Sequence, residues 1–182
     1  MHTRTAALGR LSRLSRAMEI VTAVGIVLVV ILGVLAFVIP ELTRNLLMAK
    51  LGAFGAALPV TPVARLAAAA VVAVPLTVVL YGLWAVRALF REFARGQVFT
   101  ERAARHLQTF AVTVFVQAPL GPLTSAGLSV AISLVNTGGE RMHAITFSLE
   151  DYLFLIVGGV LFAVARVMHE AAELADENAS FI

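Results

Sequence analysis

The chain has 182 residues, 60% of them hydrophobic and only 14% charged, with a mean hydropathy of +0.93. These values exclude an ordinary soluble domain, and four membrane spans would leave no length for a separate catalytic domain. Cysteine is absent and the net charge is +3. Disulfides, thiolate nucleophiles and cysteine metal sites are therefore excluded, while the basic residues flank apolar runs, where orientation and anionic lipid headgroups call for them, rather than forming a direct nucleic-acid surface.

Charged residues vanish over 20–39, 66–86 and 107–139, and again over the shorter run 152–165. A bilayer core of about 30 Å takes roughly 20 apolar residues per helix, so the pattern predicts a polytopic membrane protein. The expected fold is all-α and integral to the membrane: one domain over 1–182, an antiparallel bundle of four transmembrane helices, some kinked. The spans are expected at about 18–39, 62–95, 100–130 and 148–175, the last three extending into the cytosol.

Ahead of the first span, Leu11, Leu14 and Met18 share one helical face and Arg10, Arg13 and Arg16 form another row. This reads either as a short amphipathic helix at the membrane surface or as a solvated basic tail. The apolar run that follows, about 20 residues, exceeds the 7–15 of a secretory signal and is read as a retained span. Pro40 ends it. Leu42, Leu46, Leu47 and Leu51, followed by Gly52, suggest a short interfacial helix.

Thr61 followed by Pro62 starts the second span, a hydroxyl cap and then proline where its missing N–H costs nothing. The helix is expected to run to Arg95, with Pro75 at mid-span and Gly96 as the stop. Thirty-four residues at 1.5 Å give about 50 Å, so roughly 20 Å projects beyond the hydrocarbon. Thr100 caps the third span, and the two helices form a tight hairpin on the basic side. Pro119 and Pro122 divide the long third run, which predicts either a kinked helix ending near residue 130 or one broken at the prolines with a re-entrant remainder. Ser148, with Asp151 three residues on, opens the fourth span as a capping box.

Lysine and arginine number 4 before the first span, 5 in the hairpin and 1 after the last, against 3 and 1 in the other two loops. That asymmetry places both termini in the cytoplasm.

The strongest constellation is electrostatic. Arg87, Arg91 and Arg95 recur every four residues at the cytoplasmic end of span two, with Arg102, Arg105 and His106 opposite at the start of span three. The tail offers Glu170, Glu173 and Glu177 at helical spacing, with Asp176 beside them. An acid–base network is expected between the tail and the hairpin, as a latch or a docking surface for a cytosolic partner. The bland alternative is arginines snorkelling to lipid phosphate and acids facing water.

Within the membrane no charged residue lies near mid-depth, which argues against a proton-coupled transporter. Gln117 and Tyr81 are the candidate intramembrane polar site, and Gln117 reads better as interhelical glue. Gly159 and Ala163 form a small-residue notch expected to serve bundle packing. Glu140, His143, Glu150 and Asp151 offer metal-ligand types in no established spacing. No cofactor motif, glycine-rich phosphate loop or catalytic triad spacing emerges, so no catalytic, cofactor-binding or metal residue is assigned and no enzyme activity is expected. The role expected is that of a sensor or sequestering partner for a cytosolic regulator, and the competing one a small transporter or transporter subunit.

The segment Leu89-Phe90-Arg91-Glu92-Phe93-Ala94-Arg95-Gly96-Gln97-Val98-Phe99-Thr100 and the closing segment that contains Glu173-Leu174-Ala175-Asp176-Glu177-Asn178 resemble the bacterial membrane family called domain of unknown function 2975. That family has a glycine-then-phenylalanine hinge after span two and an acidic-asparagine ending after span four. It has no assigned activity. Some members are similar to genes beside small helix-turn-helix regulators, so the resemblance implies a membrane sensor or sequestering partner.

Overall fold

In the computed structural model, residues 2–52, 61–135 and 148–180 are described, with side chains from Ser12 onward except those of Val135, Asp176 and residues 178–180. Among them every regular element is an α-helix: α1 His2–Val38, α2 Pro40–Leu51, α3 Pro62–Ala94, α4 Glu101–Val135 and α5 Leu149–Ser180. Four, all but α2, are long and apolar enough to cross a membrane. This is the architecture of a multi-pass membrane protein.

Local chemistry sets the ends. Pro40 stops α1 and serves as the first residue of α2, and Gly52, at φ 63°, ends α2. At the start of α3, the Thr61 hydroxyl accepts the Ala64 N–H at 3.1 Å. Glycine 96, at φ 79°, closes α3: Gln97 N–H donates to the Glu92 carbonyl at 3.1 Å and Gly96 N–H to that of Phe93 at 3.0 Å. These are the paired bonds of a Schellman stop, open only to a residue that tolerates a left-handed backbone. Thr100 then caps α4 by accepting the Ala103 N–H at 3.3 Å. The α5 start is a reciprocal capping box, Asp151 N–H to Ser148 Oγ at 3.2 Å and Ser148 N–H to Asp151 Oδ2 at 2.8 Å.

Two expectations change. The basic segment and the first span form one helix from His2 to Val38, because no proline separates them and Gly9 alone does not end a helix. Helix α4 runs to Val135, beyond the expected 130, and through both Pro119 and Pro122 without a break. Hydroxyl-bearing side chains bond α4's own carbonyls just past the prolines, Thr124 to Leu120 at 2.6 Å and Ser125 to Gly121 at 3.3 Å.

Cα packing divides the chain into two units. The first comprises Met1–Val27, Val79–Phe115 and Leu155–Ile182. In it α3 and α4 run antiparallel from the Gly96 turn. Leu89, Ala103, Leu107 and Ala165 form its buried cluster, flanked by Phe93, Phe110, Leu161 and Met168.

The second unit comprises Leu28–Val78 and Val116–Phe154. There Leu47 and Leu51 of α2 pack with Ala68, Leu128 and Ile132. Thr43, fully buried, donates from α2 to the Ala36 carbonyl of α1 at 2.7 Å. Arg65 reaches from α3 to the last carbonyl of α1, donating to Val38 at 3.0 Å.

Most buried apolar residues are alanines, while the large side chains of α1, α3 and α5 stand exposed. Lipid tails are as apolar as leucine, so small residues that let backbones approach win the helix contacts and large ones face lipid. Gly158 does this work on α5, where an added Cβ would lie 2.6 Å from the Phe115 backbone nitrogen. Gly159, expected at the packing notch, meets nothing within 4 Å, and Ala163 is exposed. The packing glycine is one residue earlier than the small-residue spacing suggested.

Candidate functional site

The basic hairpin is built as its sequence predicts: α3 stops at Ala94, the chain turns through Gly96, and α4 restarts after Thr100. The turn sets Arg91, Arg95, Arg102 and Arg105 on exposed positions, and Phe99 is 64% exposed. His106 is half-buried. Arginines with an exposed aromatic make a surface rich in the residue types that anchor protein interfaces.

The hairpin ion pairs among the described residues are made with Glu19, Glu92 and Glu101. Glu19 Oε1 of α1 lies 3.2 Å from Arg91 Nε and 3.9 Å from Arg87 Nε. Arg87 also stacks over the Trp84 ring at 5.8 Å, a contact that neutralises no charge but fixes the guanidinium. Arg95 pairs with Glu92 at 3.3 Å and Arg105 with Glu101 at 3.4 Å. On the tail, Glu173 pairs with His169 at 3.3 Å. Glu170 and Glu177 are exposed on the same helix, while the Asp176 side chain lies outside the described residues. The geometry thus ties α1 to α3 through Glu19, and makes local pairs on α3, α4 and α5.

Glu19 and Glu92 were missed by sequence reasoning. For Glu19 a signal existed, since it is the only acid before Glu41 and stands among basic residues where the first apolar run begins. Glu92 is buried to 7% exposure, and its Oε2 has no hydrogen-bond partner among the described residues. Within the repeat of arginines nothing in the residue pattern sets it apart. Burial there follows from the helix face it shares with Leu89 and not from its chemistry.

Of the intramembrane pair, Gln117 is half-buried and its Nε2 donates to the Pro75 carbonyl at 2.9 Å, joining α4 to α3 within the second unit. Tyr81, in the first unit, is 64% exposed. The amide is thus spent on a backbone carbonyl. Glu140 and His143 lie outside the described residues. Among the described residues no group of three or more histidine, cysteine, aspartate or glutamate side chains is placed to hold a metal ion.

The family model described as Protein of unknown function (DUF2975) matches residues 48–182, and the chain belongs to that family. No curated protein and no solved structure matches it.

Proposed function

We propose that this member of the DUF2975 family is a non-enzymatic protein of the bacterial inner membrane, with both termini cytoplasmic, that acts as a sensor or sequestering partner for a cytosolic regulator. The observation that carries the proposal is the hairpin tip. A Schellman turn and a threonine cap hold four exposed arginines and Phe99 on a rigid support, and rigid presentation lowers the entropy a partner must overcome on docking. The excess of lysine and arginine on the hairpin side, ten against four, supports a cytoplasmic position for that tip.

The test is a photo-crosslinking residue at Phe99 in living cells. One cytosolic protein adduct, lost when Arg95 and Arg102 are both changed to glutamate, is expected. Adducts to lipid alone would contradict it. The competing transporter role draws little support from Gln117 and Tyr81, because the first is engaged by the Pro75 carbonyl and the second is largely exposed.

A further inference from the structure

The second unit contains a cleft of about 620 Å³ lined by both apolar and polar groups, within the range of about 300–1,000 Å³ usual for small-molecule sites. Lys50 enters it from the last turn of α2, Gly121 and Ser125 from α4, and Ser148, Glu150 and Asp151 from the start of α5. Asp151 is 9% exposed, and its carboxylate is held in place by the Ser148 N–H. Gly121 makes room for that carboxylate, because a side-chain carbon there would overlap it. The capping box therefore orients one acid at the cleft wall.

Among the described residues that line it, two carboxylates and one ammonium give the cleft both signs of charge. Its depth is set by sequence: Lys50 stands at the end of α2, and the apolar run of α5 starts at Tyr152, directly after Asp151. With Tyr152 as the first residue of the α5 span, the cleft would lie where hydrocarbon gives way to headgroups. Ligands at that level that combine an ammonium with an anion answer both signs at once.

We infer that this cleft binds a phosphoethanolamine group, its primary ammonium on Glu150 and Asp151 and its phosphate on Lys50. Carboxylates accept charge-assisted hydrogen bonds from a primary ammonium. A choline headgroup has no N–H to donate and is poorly matched. A purely anionic headgroup leaves the two described carboxylates without a cation to bind and is poorly matched. The group can come from phosphatidylethanolamine in the surrounding leaflet or from soluble phosphoethanolamine. The inference is independent of the cytosolic docking role.

The experiment uses the full chain, purified in detergent and titrated with short-chain phosphatidylethanolamine, phosphatidylcholine or phosphatidylglycerol, or with soluble phosphoethanolamine, and reads the rise in Tm. The ethanolamine lipid should saturate with an apparent affinity at least about tenfold above either other lipid, the scale of one charge-assisted hydrogen bond. Glu150→Gln and Lys50→Gln, both at exposed positions, should each weaken it about tenfold while leaving the Tm of the unliganded protein in place. Saturation by soluble phosphoethanolamine as well would identify a free ligand, and saturation by the lipid alone a headgroup. Equal binding of the three lipids, or unchanged binding in both variants, overturns the inference.

Discussion

Glu19 of α1 sets its carboxylate against Arg91 of α3, with Oε1 3.2 Å from Nε, and Arg87 stands on the other side at 3.9 Å. One acid thus answers two members of the arginine row at the C-terminal end of α3, and it does so from the helix that sequence patterning treated as a plain span. The side chains are partly exposed, 24% for Glu19 and 47% for Arg91, so the pair is screened and worth at most about 1 kcal/mol.

Reversing that contact should be costlier than removing it. Glu19→Gln is expected to lower stability by about 0.5–1 kcal/mol, and Glu19→Arg by more, since three cations then meet. The double variant Glu19→Arg with Arg91→Glu should recover part of the loss. Thermal unfolding in detergent at low and high salt reads all three, with the differences shrinking as salt rises.

The Gly96 turn gives a second expectation. Its φ of 79° is left-handed, and an added Cβ would meet nothing within 4 Å. Any loss in Gly96→Ala therefore comes from the backbone alone, about 1–2 kcal/mol. Asparagine, which tolerates this conformation, should lose less. Equal Tm values for wild type, alanine and asparagine variants would show that the turn is not held left-handed.

Neighbouring glycines on α5 should respond oppositely. Gly158→Ala drives a methyl into the Phe115 backbone, and backbone cannot yield as a side-chain end does. A loss of about 1–3 kcal/mol is expected. Gly159→Ala meets open space and should be neutral or gain up to about 1 kcal/mol from helix propensity. Thermal unfolding of the two variants in one detergent decides between them.

Helix ends and spans were legible because they rest on local chemistry: charge-free runs of spanning length, Thr61 and Thr100 as caps, Gly96 as a stop, Ser148 with Asp151 as a reciprocal box. Contacts between helices were not. Period alone could not tell whether Gly158 or Gly159 faces α4, because adjacent residues on a helix differ by only 100° and lipid accepts either. Nor could it show that Glu19 would answer the arginine row, since that pairing depends on which helices become neighbours. The lysine at the end of α2 and the acids at the start of α5 come to one cleft for the same non-local reason.

Gln117→Leu separates glue from transport. It removes the bond to the Pro75 carbonyl, and interhelical hydrogen bonds in membranes average about 0.6 kcal/mol. A small drop in Tm with no change in crosslinking at Phe99 is expected. Loss of solute uptake in cells carrying this variant would favour the transporter role.

The absence of cysteine makes the orientation directly measurable. Phe99→Cys at the hairpin tip and Met48→Cys on α2 both replace exposed side chains. A membrane-impermeant maleimide is applied to cells with a permeabilised outer membrane, before and after lysis of the inner one. The docking role predicts that Met48→Cys labels in the unlysed cells and Phe99→Cys only after lysis. Labelling of Phe99→Cys before lysis would place the basic hairpin outside the cytosol and remove the surface on which a cytosolic regulator is proposed to dock.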